Sequence, residues 1–290
     1  MWSSDFLPSP RRPAIAATLL LLPGIVLADP GDFVIGAGVE TDSEEGLAFA
    51  LLGDVAMTDD TWLSGSVSYS GVDGVRPQQE VDYLYADIAV DHFFDPVGLR
   101  VGVSYWGDPD ALDSFDLRGS IYSRGDAGSL SIDGEYRDFD INFPVLDTLP
   151  RATIGFDATG IGLSGRVNAG EDVTLRAAGM NYEYSRDFDI TDSARVIDLL
   201  TFSRLSVLTS LVEWRVSAGI SIDVGLRQWQ LDLTRWSGIV DNSDNVGATI
   251  SFLTPLSRRT DLELALGYDD SNLYGDVTFL SAYLYFYGGN

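Results

Sequence analysis

Hydrophobic and polar residues alternate one by one along most of this chain. In residues 99 to 105 the odd positions are apolar and the even positions are polar or small, and residues 115 to 121, 130 to 137 and 262 to 268 repeat the pattern. A period of two is typical of β-strands with one apolar face. It predicts fourteen strands, near residues 32 to 40, 46 to 57, 61 to 70, 80 to 92, 97 to 106, 112 to 123, 128 to 139, 151 to 167, 172 to 187, 211 to 222, 226 to 237, 246 to 255, 260 to 269 and 276 to 287.

The connections between these predicted strands are alternately short and long. Tight turns are predicted at residues 58 to 60, 94 to 96, 124 to 127, 168 to 171 and 256 to 259, whereas residues 71 to 79, 141 to 150 and 240 to 245 are mostly longer and richer in Asp, Pro and Gly. Residues 188 to 210 are the main exception, because Asp192 can cap a segment whose apolar residues have helical spacing: Val196, Leu199, Leu200 and Leu205. We therefore expect one long loop that carries a helix.

Two architectures build many antiparallel strands without cysteine, namely a soluble sandwich and a closed barrel in the bacterial outer membrane. Sandwich strands usually have about 5 or 6 residues, whereas many segments here approach the roughly 9 to 11 that cross a bilayer at a tilt. Aromatic residues near strand ends also favour the barrel, because they suit interfacial girdles: Tyr69, Phe93, Phe94, Tyr105, Trp106, Tyr122, Trp236, Tyr268 and Tyr274. The prediction is an all-β, closed antiparallel transmembrane barrel of about fourteen strands, with twelve as the alternative if the first hairpin or residues 211 to 237 pair differently.

The N-terminus has the order of segments of a secretory signal peptide. Arg11 and Arg12 precede an apolar run at residues 14 to 22, and Val26, Leu27 and Ala28 offer a small-residue cleavage site. The run is too short for a membrane-spanning helix, which needs about 20 apolar residues. We expect residues 1 to 28 to be removed after export and residues 29 to 290 to form the barrel.

The chain resembles a Gram-negative outer-membrane β-barrel protein over residues 29 to 290. The last predicted strand, in which Tyr283, Tyr285 and Tyr287 alternate, is similar to the aromatic C-terminal strand by which such proteins are handed to the barrel-assembly machinery. It departs from the usual form because Gly288, Gly289 and Asn290 follow. The resemblance implies a location in the outer membrane, with membrane lipid, lipopolysaccharide and the assembly machinery as partners.

Composition removes several classes of function. The formal net charge is −26 and the sequence contains no lysine, which argues against nucleic-acid binding because that needs a basic surface. Without cysteine and with one histidine, neither disulfides nor thiolate metal sites form, and little material remains for zinc. No phosphate loop or dinucleotide motif occurs, so we expect no cofactor.

If the apolar positions face lipid, the alternate positions face the lumen. An arginine on the lipid face near the midplane costs about 2 to 4 kcal/mol, so charges within strands are expected to point inward. The predicted lumen-lining residues are Asp87, Arg100, Asp116, Arg118, Asp133, Glu135, Arg137, Glu213, Arg215, Asp232, Asp261 and Glu263. Acids outnumber arginines, so an open lumen should favour cations. A network of ion pairs that fills the lumen is the equal alternative.

Other polar or special residues have simpler interpretations. Glycines inside strands are expected to permit bending at barrel corners: Gly36, Gly38, Gly65, Gly102, Gly119, Gly134 and Gly155. Acids of the outer loops are expected to be solvated, although such groups can bind calcium: Asp42, Glu44, Glu45, Asp108, Asp110, Asp113, Asp241, Asp244, Asp269, Asp270 and Asp276. His92 is the single candidate for catalysis and lies beside a tight turn among aromatic residues.

These patterns predict a porin-like channel or transporter that passes small polar or cationic solutes through an acidic lumen. The alternatives are a non-conducting barrel that anchors or stabilises the surface and, third, a lipid-modifying enzyme built around His92. We expect no enzymatic activity.

Overall fold

The computed structural model describes residues 31–43, 46–73, 80–108, 112–143, 152–185, 211–239, 242–272 and 275–289. The expected signal peptide and the expected helix within residues 188 to 210 lie outside these ranges. Among the described residues, no helix is long and apolar enough to cross a membrane.

Fourteen antiparallel strands account for nearly all described residues. They are β1 (Phe33–Asp42), β2 (Leu47–Thr58), β3 (Thr61–Asp73), β4 (Glu80–Phe93), β5 (Val97–Asp108), β6 (Leu112–Gly125), β7 (Gly128–Phe143), β8 (Ala152–Asn168), β9 (Val173–Tyr184), β10 (Val212–Val224), β11 (Arg227–Gly238), β12 (Asp244–Ser257), β13 (Thr260–Ser271) and β14 (Gly275–Gly288). Each predicted strand corresponds to one of these.

The strands close into a barrel in which each pairs with its neighbours in sequence. The first and last strands complete the ring, with Phe33 opposite Gly288 and Asp42 opposite Phe279. Closure pairs every strand on both sides, so no edge of backbone donors and acceptors is left open to lipid. The predicted closed barrel of fourteen strands is therefore confirmed, and the sandwich and the twelve-stranded alternative are excluded.

The two ends of the barrel differ. The even-numbered strands connect to the next strand by tight turns at one end, which also holds Phe33 and Gly288, and we call this the turn end. The remaining connections lie at the other end, the loop end. Outer-membrane barrels have short periplasmic turns, so the turn end corresponds to the predicted periplasmic side.

Alternate side chains of each strand divide between an apolar outer face and a polar inner face. Large hydrophobic side chains stand exposed on the outer face, among them Ile35, Leu51, Ile88, Leu117, Ile132, Ile161, Ile250 and Leu264. Buried serines, glutamines and charged residues occupy the inner face, among them Ser68, Ser104, Asp116, Arg137, Gln230 and Glu263. An exposed apolar belt around a polar interior is the arrangement that a bilayer requires of a barrel.

The aromatic residues near the strand ends do not all form outer girdles. Tyr69, Phe94 and Tyr268 are exposed as predicted, and Tyr274 lies outside the described residues. Trp106 and Trp236 are instead buried at inward-facing positions, and Phe93 stacks on the inward-facing Tyr122. Position within the strand alternation, and not closeness to the strand end, decides which face an aromatic side chain takes.

Candidate functional site in the barrel lumen

The inner face encloses a cavity of about 670 Å³. Nine of the predicted lumen residues line it, namely Arg100, Asp116, Arg118, Asp133, Glu135, Arg137, Arg215, Asp232 and Glu263. Asp87 faces inward on β4 and accepts a hydrogen bond from Arg118 at 2.9 Å. Asp261 occupies the inward-facing alternation of β13 close to the turn end.

Glu213 is the exception among the predicted lumen residues. The pairing of β10 with β11 shifts register between Val212 and Trp214, so a bulge interrupts the alternation at Glu213. Val212 is fully buried next to Tyr182 and Trp236, whereas Glu213 is exposed. Its prediction as a lining residue is wrong because one extra residue in a strand moves its neighbours to the other face.

Charged residues outside the predicted set also face the lumen. Glu40 on β1 and Asp269 on β13 both line the cavity. Arg176 on β9 faces the lumen and donates to Asp232. The acidic run around Asp269 predicts a loop, but β13 continues to Ser271 and so holds Asp269 on the inner face. Strict alternation along β9 and β13 could have found both Arg176 and Asp269.

Carboxylates outnumber guanidinium groups around the cavity, and the two are unevenly placed. Seven carboxylates and four guanidinium groups line it among the described residues. The four lining arginines all lie on β5, β6, β7 and β10. The described parts of β12 to β14 and β1 to β4 contain no arginine at all. The lumen therefore has one mixed wall and one wall whose charges are all negative.

Most charges of the mixed wall belong to bonded networks. Arg118 pairs with Asp87, which also accepts from Ser66. Arg176 donates to Asp232 with its Nε at 2.9 Å and to Gln230 with its Nη2 at 2.8 Å. The arrangement fixes these guanidinium groups against the wall, because each is held by more than one side chain or by a carboxylate.

A third network joins Arg137, Glu135 and Tyr182. Nη2 of Arg137 lies 3.1 Å from Oε1 of Glu135 and donates to the Tyr182 hydroxyl at 3.0 Å. The same hydroxyl donates to Oε2 of Glu135 at 2.7 Å. All three side chains are buried, and each of them contacts the other two.

Glycines on intervening strands make these long-range contacts possible. Gly160 lies opposite both Glu135 on β7 and Tyr182 on β9, and a Cβ at Gly160 would meet the Tyr182 ring at 2.7 Å. Gly219 likewise lies between Arg176 and Asp232, where a Cβ would lie 2.2 Å from the Asp232 carboxylate. These glycines leave room for side chains from strands two apart to meet.

Glycines on neighbouring strands also make room for the inward-facing aromatic residues of β14. Tyr283 lies opposite Gly38 and Phe279 opposite Gly267, and a Cβ at either glycine would lie about 2 Å from the ring, at 2.2 Å and 1.9 Å. The rings therefore lie against the wall and leave the cavity open. Gly38, expected only to permit bending, has this additional packing role.

The tyrosines of the last strand face the lumen. Tyr283 and Tyr285 are buried, and the Tyr285 hydroxyl donates to Glu263 at 2.8 Å. The outer face of this strand is formed instead by Leu280, Leu284 and Phe286. Recognition by the barrel-assembly machinery stays a prediction.

An apolar cluster lines the inner wall toward the loop end. Its buried members are Trp106, Leu112, Phe139, Ile141, Phe156, Ala158 and Leu211. Phe139 and Phe156 stack with ring centres 4.8 Å apart. The lumen thus changes along its axis from polar groups to a partly aromatic wall near the loop end.

The described residues also bear on the expectations for a metal site and for His92. They contain no group of three or more His, Asp or Glu side chains placed to hold a metal ion. His92 lies at the turn end, where its Nδ1 forms a hydrogen bond of 2.7 Å with the Thr61 hydroxyl and its ring packs edge-on against Phe94.

No protein-family model and no curated protein matches this chain. Solved structures share its fold, including the CymD monoaromatic hydrocarbon channel, with a TM-score of 0.54, 9% sequence identity and coverage of 90% of this chain and 89% of CymD. OmpT of Vibrio cholerae has a TM-score of 0.49 at 9% identity, covering 91% of this chain and 100% of OmpT. The KdgM porin has a TM-score of 0.42 at 9% identity, covering 87% and 98%. Because the sequence identity is only 9%, the similarity to CymD establishes the outer-membrane β-barrel fold alone.

Proposed function

We propose that this protein is a porin-like outer-membrane channel that passes small polar or cationic solutes through an acidic lumen. The observation that carries the proposal is the cavity of about 670 Å³, lined by seven carboxylates and four guanidinium groups. An excess of fixed negative charge inside a low-dielectric wall attracts cations and repels anions. The fold shared with the CymD channel agrees with this function.

The proposal includes the route to the membrane and the partners there. Export by a cleaved signal peptide at residues 1 to 28 would deliver residues 29 to 290 to the outer membrane. The barrel-assembly machinery would insert them among lipid and lipopolysaccharide. The exposed apolar belt supports the lipid contact, because such a surface is unstable in water.

Reversal-potential measurements on the refolded protein in planar bilayers test the selectivity. Under a tenfold KCl gradient we expect a potential of the cation-selective sign, below the limit of about 59 mV for an ideal monovalent channel. The double variant Asp133→Asn, Glu263→Gln removes two of the seven lining carboxylates and should bring the potential closer to zero. Asp138→Asn is the matched control, because Asp138 lies on the same strand as Asp133 but is exposed on the outer face. An anion-selective wild type, or equal shifts in both variants, would contradict the proposal.

The open volume of the cavity provides a second test of the channel proposal. Gly38→Ala would push the Tyr283 ring off the wall and into the cavity. A phenol ring occupies on the order of four water volumes, ~120 Å³, within a cavity of about 670 Å³. We expect the single-channel conductance to fall by roughly a fifth or more on that volume ratio.

The controls for this second test separate calibre from general damage. Adding Tyr283→Ala to Gly38→Ala should return the conductance to the wild-type value or above it. Gly53→Ala should change nothing, because Gly53 does not line the cavity and a Cβ there meets only a backbone oxygen at 3.6 Å. A Gly38→Ala channel of wild-type conductance would show that Tyr283 does not limit the passage.

A non-conducting structural barrel is the second candidate. The networks around Arg118, Arg137 and Arg176 favour it, because bonded charges can fill a lumen as well as line one. Bilayers that stay silent at all voltages, with a protein that is folded by heat-modifiability on gels, would select this candidate and end the channel proposal.

A further inference from the structure

A guanidinium group and a carboxylate on the cavity wall are not directly bonded to any other described residue. Arg215 on β10 and Asp269 on β13 both line the cavity, and within the part of the chain that the structure describes neither forms an ion pair or hydrogen bond, although the charge of Arg215 acts on the Glu135 carboxylate from a longer range. Most other described charges of the lumen are bonded, as Arg137 is to Glu135 and Arg176 to Asp232. Arg215 and Asp269 also do not pair with each other, so a gap separates them.

An indole ring and a glycine lie on the wall between these two charged residues. Arg215 lies directly opposite Trp236 in the β10–β11 register, and Asp269 lies opposite Gly247 in the β12–β13 register. A Cβ at Gly247 would lie 2.3 Å from Oδ1 of Asp269 and 3.4 Å from Cζ3 of Trp236. The Asp269 carboxylate and the Trp236 ring therefore come together above Gly247, with Arg215 beside the ring.

We propose that this row of side chains is a binding site for small zwitterions, namely amino acids and dipeptides. Arg215 binds the carboxylate of the solute through charge-assisted hydrogen bonds, and Asp269 binds its ammonium group. The Trp236 ring lines the cavity between them and gives the segment that joins the two charged groups an apolar surface.

The distances fit solutes of this size. Three strand spacings separate β10 from β13, and Asp269 lies two residues along β13 from the position level with Arg215, so the two backbone positions are about 16 Å apart. The long arginine side chain and the position of the Asp269 carboxylate above Gly247 shorten this distance. A dipeptide spans about 7 Å. A simple cation or anion would satisfy one of the two charges and leave the other unpaired, whereas a zwitterion satisfies both.

The role of this site in transport rests on the proposed channel function, but binding can be measured without conduction. Isothermal titration calorimetry on the full chain refolded in detergent would compare glycylglycine with N-acetylglycine, which lacks the ammonium group, and glycine N-methylamide, which lacks the carboxylate. We expect glycylglycine to bind at least about tenfold more tightly than either, because a hydrogen bond to a charged group contributes about that factor.

Variants assign the binding to these residues. Arg215→Gln and Asp269→Asn should each weaken glycylglycine binding about tenfold or more, to the level of the corresponding singly charged compound. Arg100→Gln is the matched control: Arg100 is another lining guanidinium without an ion pair, but it lies opposite Asp91, which is bonded to Tyr122. Its binding of glycylglycine should stay as in the wild type.

Equal affinities for the three compounds, or an equal loss in Arg100→Gln, would overturn the site. Conduction in bilayers without this binding pattern would remove the site and leave the channel. The full binding pattern in a protein that never conducts would keep the site and remove the channel.

Discussion

Replacing Arg137 by methionine is expected to lower the free energy of unfolding of the barrel by about 3 to 5 kcal/mol. The side chains of Arg137 and Glu135 are 10% and 7% exposed. Removing the guanidinium group leaves the buried Glu135 carboxylate without its ion-pair partner, while the Tyr182 hydroxyl still donates to it and Arg215 and Arg118 act on it only from a longer range. An unbalanced buried charge costs far more than the pair itself contributes, so most of the loss is the desolvation of Glu135.

Urea unfolding of the protein refolded into lipid vesicles measures this loss. The double variant Glu135→Gln, Arg137→Met should recover most of the stability, because it removes the stranded charge. Arg235→Met is the control, since Arg235 pairs with Asp244 on the exposed surface at 56% and 46% exposure, where a pair contributes about 0 to 1 kcal/mol. Equal losses in Arg137→Met and Arg235→Met would mean that water reaches Glu135 freely in the lumen.

The strands and the closed barrel could be predicted because their signal is local. In β7 the residues Leu130, Ile132 and Tyr136 face outward and Asp133 and Glu135 face inward, and this alternation is visible in the sequence without knowledge of the neighbouring strands. The water-filled lumen requires polar side chains on the inner face, and the hydrocarbon outside requires apolar side chains on the outer face. The sequence of each strand therefore indicates which of its side chains face the lumen.

The prediction fails where a strand breaks its own period. Glu213 follows the apparent alternation of β10, but the register shift between Val212 and Trp214 moves it out of the lumen. A bulge inserts one residue without a clear change in composition, so only the pairing with β11 reveals it. Asp269 is the reverse case of a residue that the sequence places outside the lumen and the structure places inside it. The acidic residues around it resemble a loop, but the pairing of β13 continues past it.

Contacts between strands could not be predicted from the alternation. The approach of Tyr182 to Glu135 depends on Gly160 facing both of them. That requires the registers of β7 with β8 and of β8 with β9, which long-range pairing determines. For the same reason the positions of Arg215 and Asp269 relative to each other follow only from the registers of four consecutive strands.

Arginine in place of Ile132 is expected to cost about 2 to 4 kcal/mol of stability in a bilayer, as for arginine at the midplane of a membrane barrel. Ile132 is 60% exposed on the outer face of β7. Its partners in register are Ile121 on β6 and Leu163 on β8, which are exposed as well. The side chain is therefore surrounded by hydrocarbon if the belt lies in the membrane, and a guanidinium group there has no partner.

Leu226→Arg provides the matched control because Leu226 is 86% exposed in the tight turn between β10 and β11. At the membrane interface the same substitution costs about 0 to 1 kcal/mol. Urea unfolding in lipid vesicles should therefore separate the two variants by roughly 2 kcal/mol or more. Equal stability of the two would mean that the belt around Ile132 is bathed in water, and the inward direction of the lumen charges would then lose its physical cause.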